Sequence, residues 1–275
     1  MTDTKDSEAN VPSSVLTAKR SNPLWRKVLS PLLSWTLVLV VWQFLSTYVV
    51  KPFILPPPAI IANEMIEIVQ SGELIRHFGA SLSKLGQSFF PFFVLGALIG
   101  TAMAMNRWWE DFLRDAVSFA ISLPGLVYIL VLLLIFGSSG LAPIIAIVAA
   151  VTPYVALQFW EGVKGVPTDL LEMGNAFGMS RPTVLRHIVV PALSPYILTA
   201  VTHSFSLGWR LVVLTELFGG SKGIGFKMRA EFSLFSVRGT IAWALFFFIF
   251  ALVLDLGILA PLSRYTLRWR AEEAT

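Results

Sequence analysis

Six stretches of this chain are long and apolar enough to cross a lipid bilayer as helices, and nothing else in the sequence restricts the fold as strongly. A crossing helix needs about 20 mostly apolar residues, because each residue adds about 1.5 Å to a hydrocarbon path of about 30 Å. The windows 28–50, 83–105, 112–136, 141–160, 196–218 and 241–262 meet that length, the second with an interrupted start at Lys84, Gln87 and Ser88. Hydrocarbon offers no partner to a backbone N–H or C=O, so such runs must close their hydrogen bonds internally as helices. The expected fold is therefore an all-α membrane protein with six transmembrane helices. Composition agrees: 55% of the 275 residues are hydrophobic and 14% charged, outside the range of ordinary soluble domains.

The net charge of +4 does not indicate nucleic acid, because the basic residues flank apolar windows and form no nucleic-acid-binding module. Cysteine is absent, which excludes disulfides, thiolate metal sites and cysteine nucleophiles. The first apolar window has no cleavage pattern and reads as an uncleaved crossing. Residues 1–27 before it are polar and too poor in large apolar side chains to fold, so a disordered tail is expected there. Lys19, Arg20, Arg26, Lys27, Arg107, Arg114, Lys164, Arg181 and Arg186, with the basic tail 264–275, would lie on one side of the membrane. The positive-inside rule makes that side the cytoplasm, with both termini there and one transmembrane domain over 28–263. Between the first two windows, 59–70 has Ile61, Met65, Ile68 and Val69 on one helical face, as an interfacial helix outside the membrane would.

The longest polar insertion, 161–195, falls on the cytoplasmic side in this topology. Pro167 suits the first turn of a helix, with Asp169 and Glu172 near its positive end. Gly178 offers a left-handed cap, Ser180 an N-cap and Pro191 a stop, so two short helices joined by a tight turn are expected. Arg181, Arg186 and His187 would project from the second helix. Such a shape fits a groove on a partner.

At this point the chain resembles the permease subunits of bacterial ATP-binding cassette importers. Their coupling loop runs Glu-Ala-Ala, three residues, Gly, nine residues, Ile, one residue, Leu-Pro. Glu172, Gly178, Ile188 and Pro191 fall at those spacings, while Met173 and Gly174 replace the alanines and Val190 the leucine. The 53–58 stretch, Trp209, Glu216, the triplet Gly223, Ile224 and Gly225, and the closing basic residues look like the nitrate, sulfonate and taurine branch. The resemblance implies a type I importer permease fold in the bacterial inner membrane, with Glu172, Gly178, Arg181, Ile188 and Pro191 coupling to the ATPase. It also implies a second permease copy, two cytoplasmic ATP-binding subunits and an external solute-binding protein. ATP and Mg would be bound by the ATPase and no cofactor by this chain, whose glycine-rich run at 219–223 lacks the Gly-Lys-Ser/Thr ending of a phosphate loop.

Within the fifth window, Thr199, His203, Ser206 and Arg210 are spaced by four, three and four residues and share one helical face. They either line a translocation path suited to a small anion, or hydrogen-bond to neighbouring helices with Arg210 reaching outward to Glu216 or headgroups. Glu216 and Asp255 read as ion-pair partners. Gly96, Gly100 and Ala104 permit close helix packing. Two other functions compete with transport: a membrane anchor for a cytoplasmic complex, and an intramembrane enzyme. The second lacks a constellation, since His77, His187 and His203 lie on different segments and no metal-binding or aspartate-rich motif occurs, so no catalytic or metal residues are assigned.

Overall fold

The computed structural model describes residues 24–137, 141–259 and 261. The expected tails, 1–27 for the most part and 264–275 entirely, lie outside the described residues. The described residues divide into two compact units, with the boundary between Pro58 and Ala59.

In the first unit, α1 (Leu24–Phe44) ends in a wide π-helical turn, Leu45–Val49. From Leu32 to Phe44 its apolar side chains are almost all exposed, as suits a helix whose solvent is lipid. Trp42 closes the unit by donating from Nε1 to the Pro56 carbonyl at 3.1 Å, which pins the proline segment.

The second unit opens with α2 (Pro58–Gln70), where Ile61 and Ile68 are buried and Asn63 and Glu67 exposed as expected, while Val69, expected on the face of Ile61, is 49% exposed. Then follow α3 (Glu73–Met105), α4 (Arg107–Ser122), α5 (Gly125–Phe136), α6 (Ala142–Lys164), α7 (Thr168–Ala176), α8 (Arg181–Val184), α9 (Val190–Gly219), α10 (Ile224–Ser233) and α11 (Val237–Leu252). Among the described residues five helical stretches are long and apolar enough to cross a membrane alone, and a sixth crossing results if α4 and α5 count together.

That sixth crossing departs from the expected straight window 112–136. α4 and α5 meet at 94°. Leu123, ahead of Pro124, is held in extended backbone (ψ 128°), because the proline ring crowds an α conformation in the residue before it. The second crossing differs too, beginning ten residues earlier than the apolar window because Glu73 to Leu82 continue the same helix.

α6 is the centre of the bundle. Its buried Ala146, Ile147, Ala150, Val151, Val155 and Ala156 are small or β-branched, so neighbouring backbones come close. A Cβ on Gly100 of α3 would lie 2.1 Å from the Ala156 carbonyl oxygen, and one on Gly96 2.5 Å from Val155 Cβ. The small-residue stripe thus packs α3 on α6 within one chain. The matched order of these contacts makes α3 and α6 parallel. α9 runs against both, with Leu85 beside Gly208, Phe89 near Phe205, and Gly162 against Tyr196. Residues 161–195 therefore sit at one end of the bundle, hereafter the inner end, and α10 at the outer end.

Candidate functional site

The inner end carries the two-helix segment expected from the sequence. α7 is closed by Gly178 at φ 64°, a conformation costly to any residue with a Cβ. Met179 N–H donates to the Gly174 carbonyl and Gly178 N–H to the Asn175 carbonyl, both at 3.0 Å, which satisfies the last carbonyls of the helix as a Schellman motif. Met179 Sδ lies 3.7 Å from where a Cβ of Gly174 would be, and Ile188 Cδ1 3.1 Å. Gly174 thus gives the second helix room to close on the first, with Ile188 buried between them. The departure from Glu-Ala-Ala is a packing accommodation.

Two expectations for this segment fail in detail. Ser180 precedes α8 but caps no N–H; its hydroxyl lies 2.7 Å from Thr183 Oγ1 instead. Pro191 does not stop the helix. The residues before it form a π-helical turn, Leu185–Val189, and α9 continues through the proline. A widened turn spares the i→i−4 bond that proline cannot donate and relieves its clash with the preceding carbonyls. α8 and α9 accordingly form one 39-residue helix, Arg181–Gly219.

Glu172, Arg181, Arg186 and His187 are all exposed on this segment. So is Phe177, 79% exposed, with Leu170, Met173 and Leu185 near it in sequence. Phe177 was not singled out from the sequence, although a lone phenylalanine beside the capping glycine of a polar insertion was the available signal. Large exposed apolar side chains around a charged residue have the composition of a docking surface.

The stripe on α9 is brought together only in part. Thr199 donates to the Pro195 carbonyl of its own helix, and His203 is exposed. Ser206 and Arg210 converge on Asp255 of α11: the Ser206 hydroxyl hydrogen-bonds Oδ1, and Arg210 Nη2 lies 3.9 Å from Oδ2. Asp255 reaches them from a π-helical stretch, Val253–Leu259, that follows α11. Arg210 meets Asp255 and not Glu216, so the stripe is a balanced ion pair rather than a free positive track. The pair borders a cavity of about 560 Å³ between α9, α10 and α11, otherwise lined by apolar groups such as Val213, Leu217, Met228 and Phe247.

Glu216 is fully buried and organises the outer end. It accepts from Lys84 Nζ at 2.8 Å, from the Ser81 hydroxyl at 2.8 and 2.9 Å, and from Gly225 N–H at 3.1 Å. Ser81 Oγ also accepts from Ile224 N–H at 3.0 Å, and His77 Nδ1 from Gly223 N–H at 3.1 Å. Three successive amides at the start of α10 are thus held by side chains of α3 and α9, with the carboxylate at the positive end of the helix. Position 223 admits only glycine, since φ is 125° and a Cβ would fall 2.0 Å from the Glu216 carboxylate.

The profile of the family described as "Binding-protein-dependent transport system inner membrane component" matches residues 92–262, more than half of the chain. The chain is a member of that family. Among relatives of this permease, the taurine transport system permease protein TauC of Escherichia coli K12 is 27% identical over 91% of this chain and 93% of its own length. The putative aliphatic sulfonates transport permease protein SsuC of Bacillus subtilis 168 is 24% identical over 85% and 84%. The riboflavin transport system permease protein RibX of Chloroflexus aurantiacus is 27% identical over 86% and 88%. A solved chain of the inward-facing MetNI methionine ABC transporter superposes with a TM-score of 0.62 at 18% identity, covering 72% of this permease and 97% of that chain. The family and the fold make this chain the permease of an ATP-binding cassette importer, a transport subunit and not itself an enzyme.

Proposed function

We propose that this permease forms the translocation pathway of an importer for a small anionic solute of the sulfonate, taurine or nitrate class. It works as two copies with two cytoplasmic ATP-binding subunits, which hold ATP and Mg, and an external solute-binding protein. Residues 161–195 and both termini lie in the cytoplasm. The observation that supports this reading is the Schellman-closed segment, which leaves Phe177 and Glu172 both exposed at the inner end of the helix that bears Arg210. A groove on the ATP-binding subunit would take the phenyl ring, and a basic residue there the carboxylate. The sulfonate and taurine names of the relatives support the solute class, and the Arg210 guanidinium, once released from Asp255, could donate paired hydrogen bonds to the oxygens of a sulfonate or nitrate.

The test is ATP-dependent uptake of taurine, alkanesulfonates and nitrate by the permease reconstituted with its ATP-binding subunit and binding protein. Uptake of one anion, abolished by Glu172→Arg and by Phe177→Asp, is the expected result. Binding of the ATP-binding subunit with no uptake of any anion would leave an anchoring role and sink the proposed solute class.

A further inference from the structure

α4 runs beside α6 with a row of polar side chains left exposed. Because α3 and α6 are parallel, the chain must return from the inner to the outer end between them, and only α4 and α5 are available. α5 has 12 residues, about 18 Å of helix, and cannot make that journey alone. It covers the outer half, since Gly125 sits against Leu211 and Leu133 against Gly219. α4 therefore covers the inner half. Its start is fixed at the inner end by the ion pair between Glu110 and Lys164, and its finish by Tyr154, whose hydroxyl donates to the Ile121 carbonyl at 3.3 Å. Lys164 and Tyr154 are ten residues apart on α6, about 15 Å of depth measured along that helix.

Across that depth α4 has two exposed faces of opposite character. Trp108, Phe112 and Phe119 form an apolar one. Asp111, Arg114, Asp115, Ser118 and Ser122 recur at helical spacing on the other, and all are exposed. Arg114 lies over the Trp160 ring at 5.7 Å, while Asp111 and Asp115 have no ion-pair partner among the described residues. Asp115 lies about 7 Å beyond Glu110 along the helix toward the break, and an ionised carboxylate among hydrocarbon is tolerated only where water or a counter-charge reaches it.

We infer that the polar face of α4 walls a water-filled vestibule, open at the inner end and closing near the break at Leu123 and Pro124, through which the solute leaves. The role in solute exit rests on the importer reading above; the hydration of the face does not. Both charge signs alternate along it, so the wall hydrates a passing anion without holding it. The acidic residues, unlike Arg210, offer an anion no reason to stay.

The chain has no cysteine, so single cysteines can be read on the natural background. Asp115→Cys, Ser118→Cys and Ser122→Cys are compared with Phe112→Cys and Phe119→Cys, each in the full complex in inverted membrane vesicles, using a charged, membrane-impermeant methanethiosulfonate. The polar-face positions are expected to label more than about tenfold faster than the phenylalanine positions, because the reagent and the reactive thiolate both need water. Labelling after unfolding in detergent confirms that every thiol is present. Equal, slow labelling on both faces overturns the inference. So does a disulfide joining two Ser118→Cys chains without labelling, which would put the face against a second copy. Fast labelling of Ser118→Cys together with absent uptake would overturn the importer reading and leave the hydrated face standing.

Discussion

Lys84 of α3 and Glu216 of α9, 132 residues apart, meet at 2.8 Å, with the carboxylate fully buried and the lysine side chain 20% exposed. The lysine also donates to the Lys222 carbonyl, so one ammonium ties two helices to the loop before α10. Leaving one member of a buried pair without its partner is far worse than removing both. Lys84→Met should destabilise the folded permease by about 3–5 kcal/mol. The double variant Lys84→Met with Glu216→Gln should lose clearly less than the sum of the two single losses. Thermal unfolding of the detergent-solubilised protein reads both, and strict additivity would mean that the two groups do not interact.

The Arg210 and Asp255 pair should behave differently. Its charged atoms are 3.9 Å apart and its side chains 61% and 39% exposed, so in the water of the proposed pathway screening would leave it worth at most about 1 kcal/mol. Asp255→Asn should barely move the unfolding temperature while freeing Arg210 from its counter-charge. The expected result is a changed KM for anion uptake at near-normal stability; a large loss of stability would show the pair to be structural.

Gly178→Ala forces a Cβ into backbone at φ 64° and should cost about 1–2 kcal/mol locally. The bundle does not depend on that turn, so the protein should insert normally but retain less ATP-binding subunit on co-purification. Retention equal to the natural protein would separate the turn from docking.

Gly100→Ala places a methyl group 2.1 Å from the Ala156 carbonyl oxygen, backbone that cannot yield unless α3 and α6 separate. Loss of folded protein is expected in a fluorescence-detected size-exclusion profile. Gly86→Ala is the control: a Cβ there meets nothing within 4 Å, and the better helix former should be neutral or add up to about 1 kcal/mol.

Length and hydropathy made the helical class and most of the crossings legible, because a bilayer demands runs of one kind. The segment at 161–195 was legible because glycine and proline there have specific backbone consequences, and Gly178 adopts the left-handed conformation its position called for. Pro191 misled because a π-helical turn, invisible in residue spacing, absorbs the proline. The pairing of Lys84 with Glu216 was hidden for another reason. Lys84 looked like an interruption near the start of a crossing, and only the antiparallel packing of α3 on α9 gives it a partner. Asp255 was legible as a partner for some basic residue, but its meeting with Arg210 depends on the phase shift that the last π-helical stretch imposes on α11.

The unbroken helix from Arg181 to Gly219 has one further consequence. At 39 residues it is about 58 Å long, and it carries the candidate docking segment at one tip and the Glu216 carboxylate near the other. Such an element behaves as a connecting rod: a tilt imposed at the inner tip becomes a sweep of the outer tip in the opposite sense, with no refolding between. The turn at Gly223 is fastened to that tip by Glu216 and to α3 by Ser81 and His77, so it would feel the sweep as a shear between its two anchors.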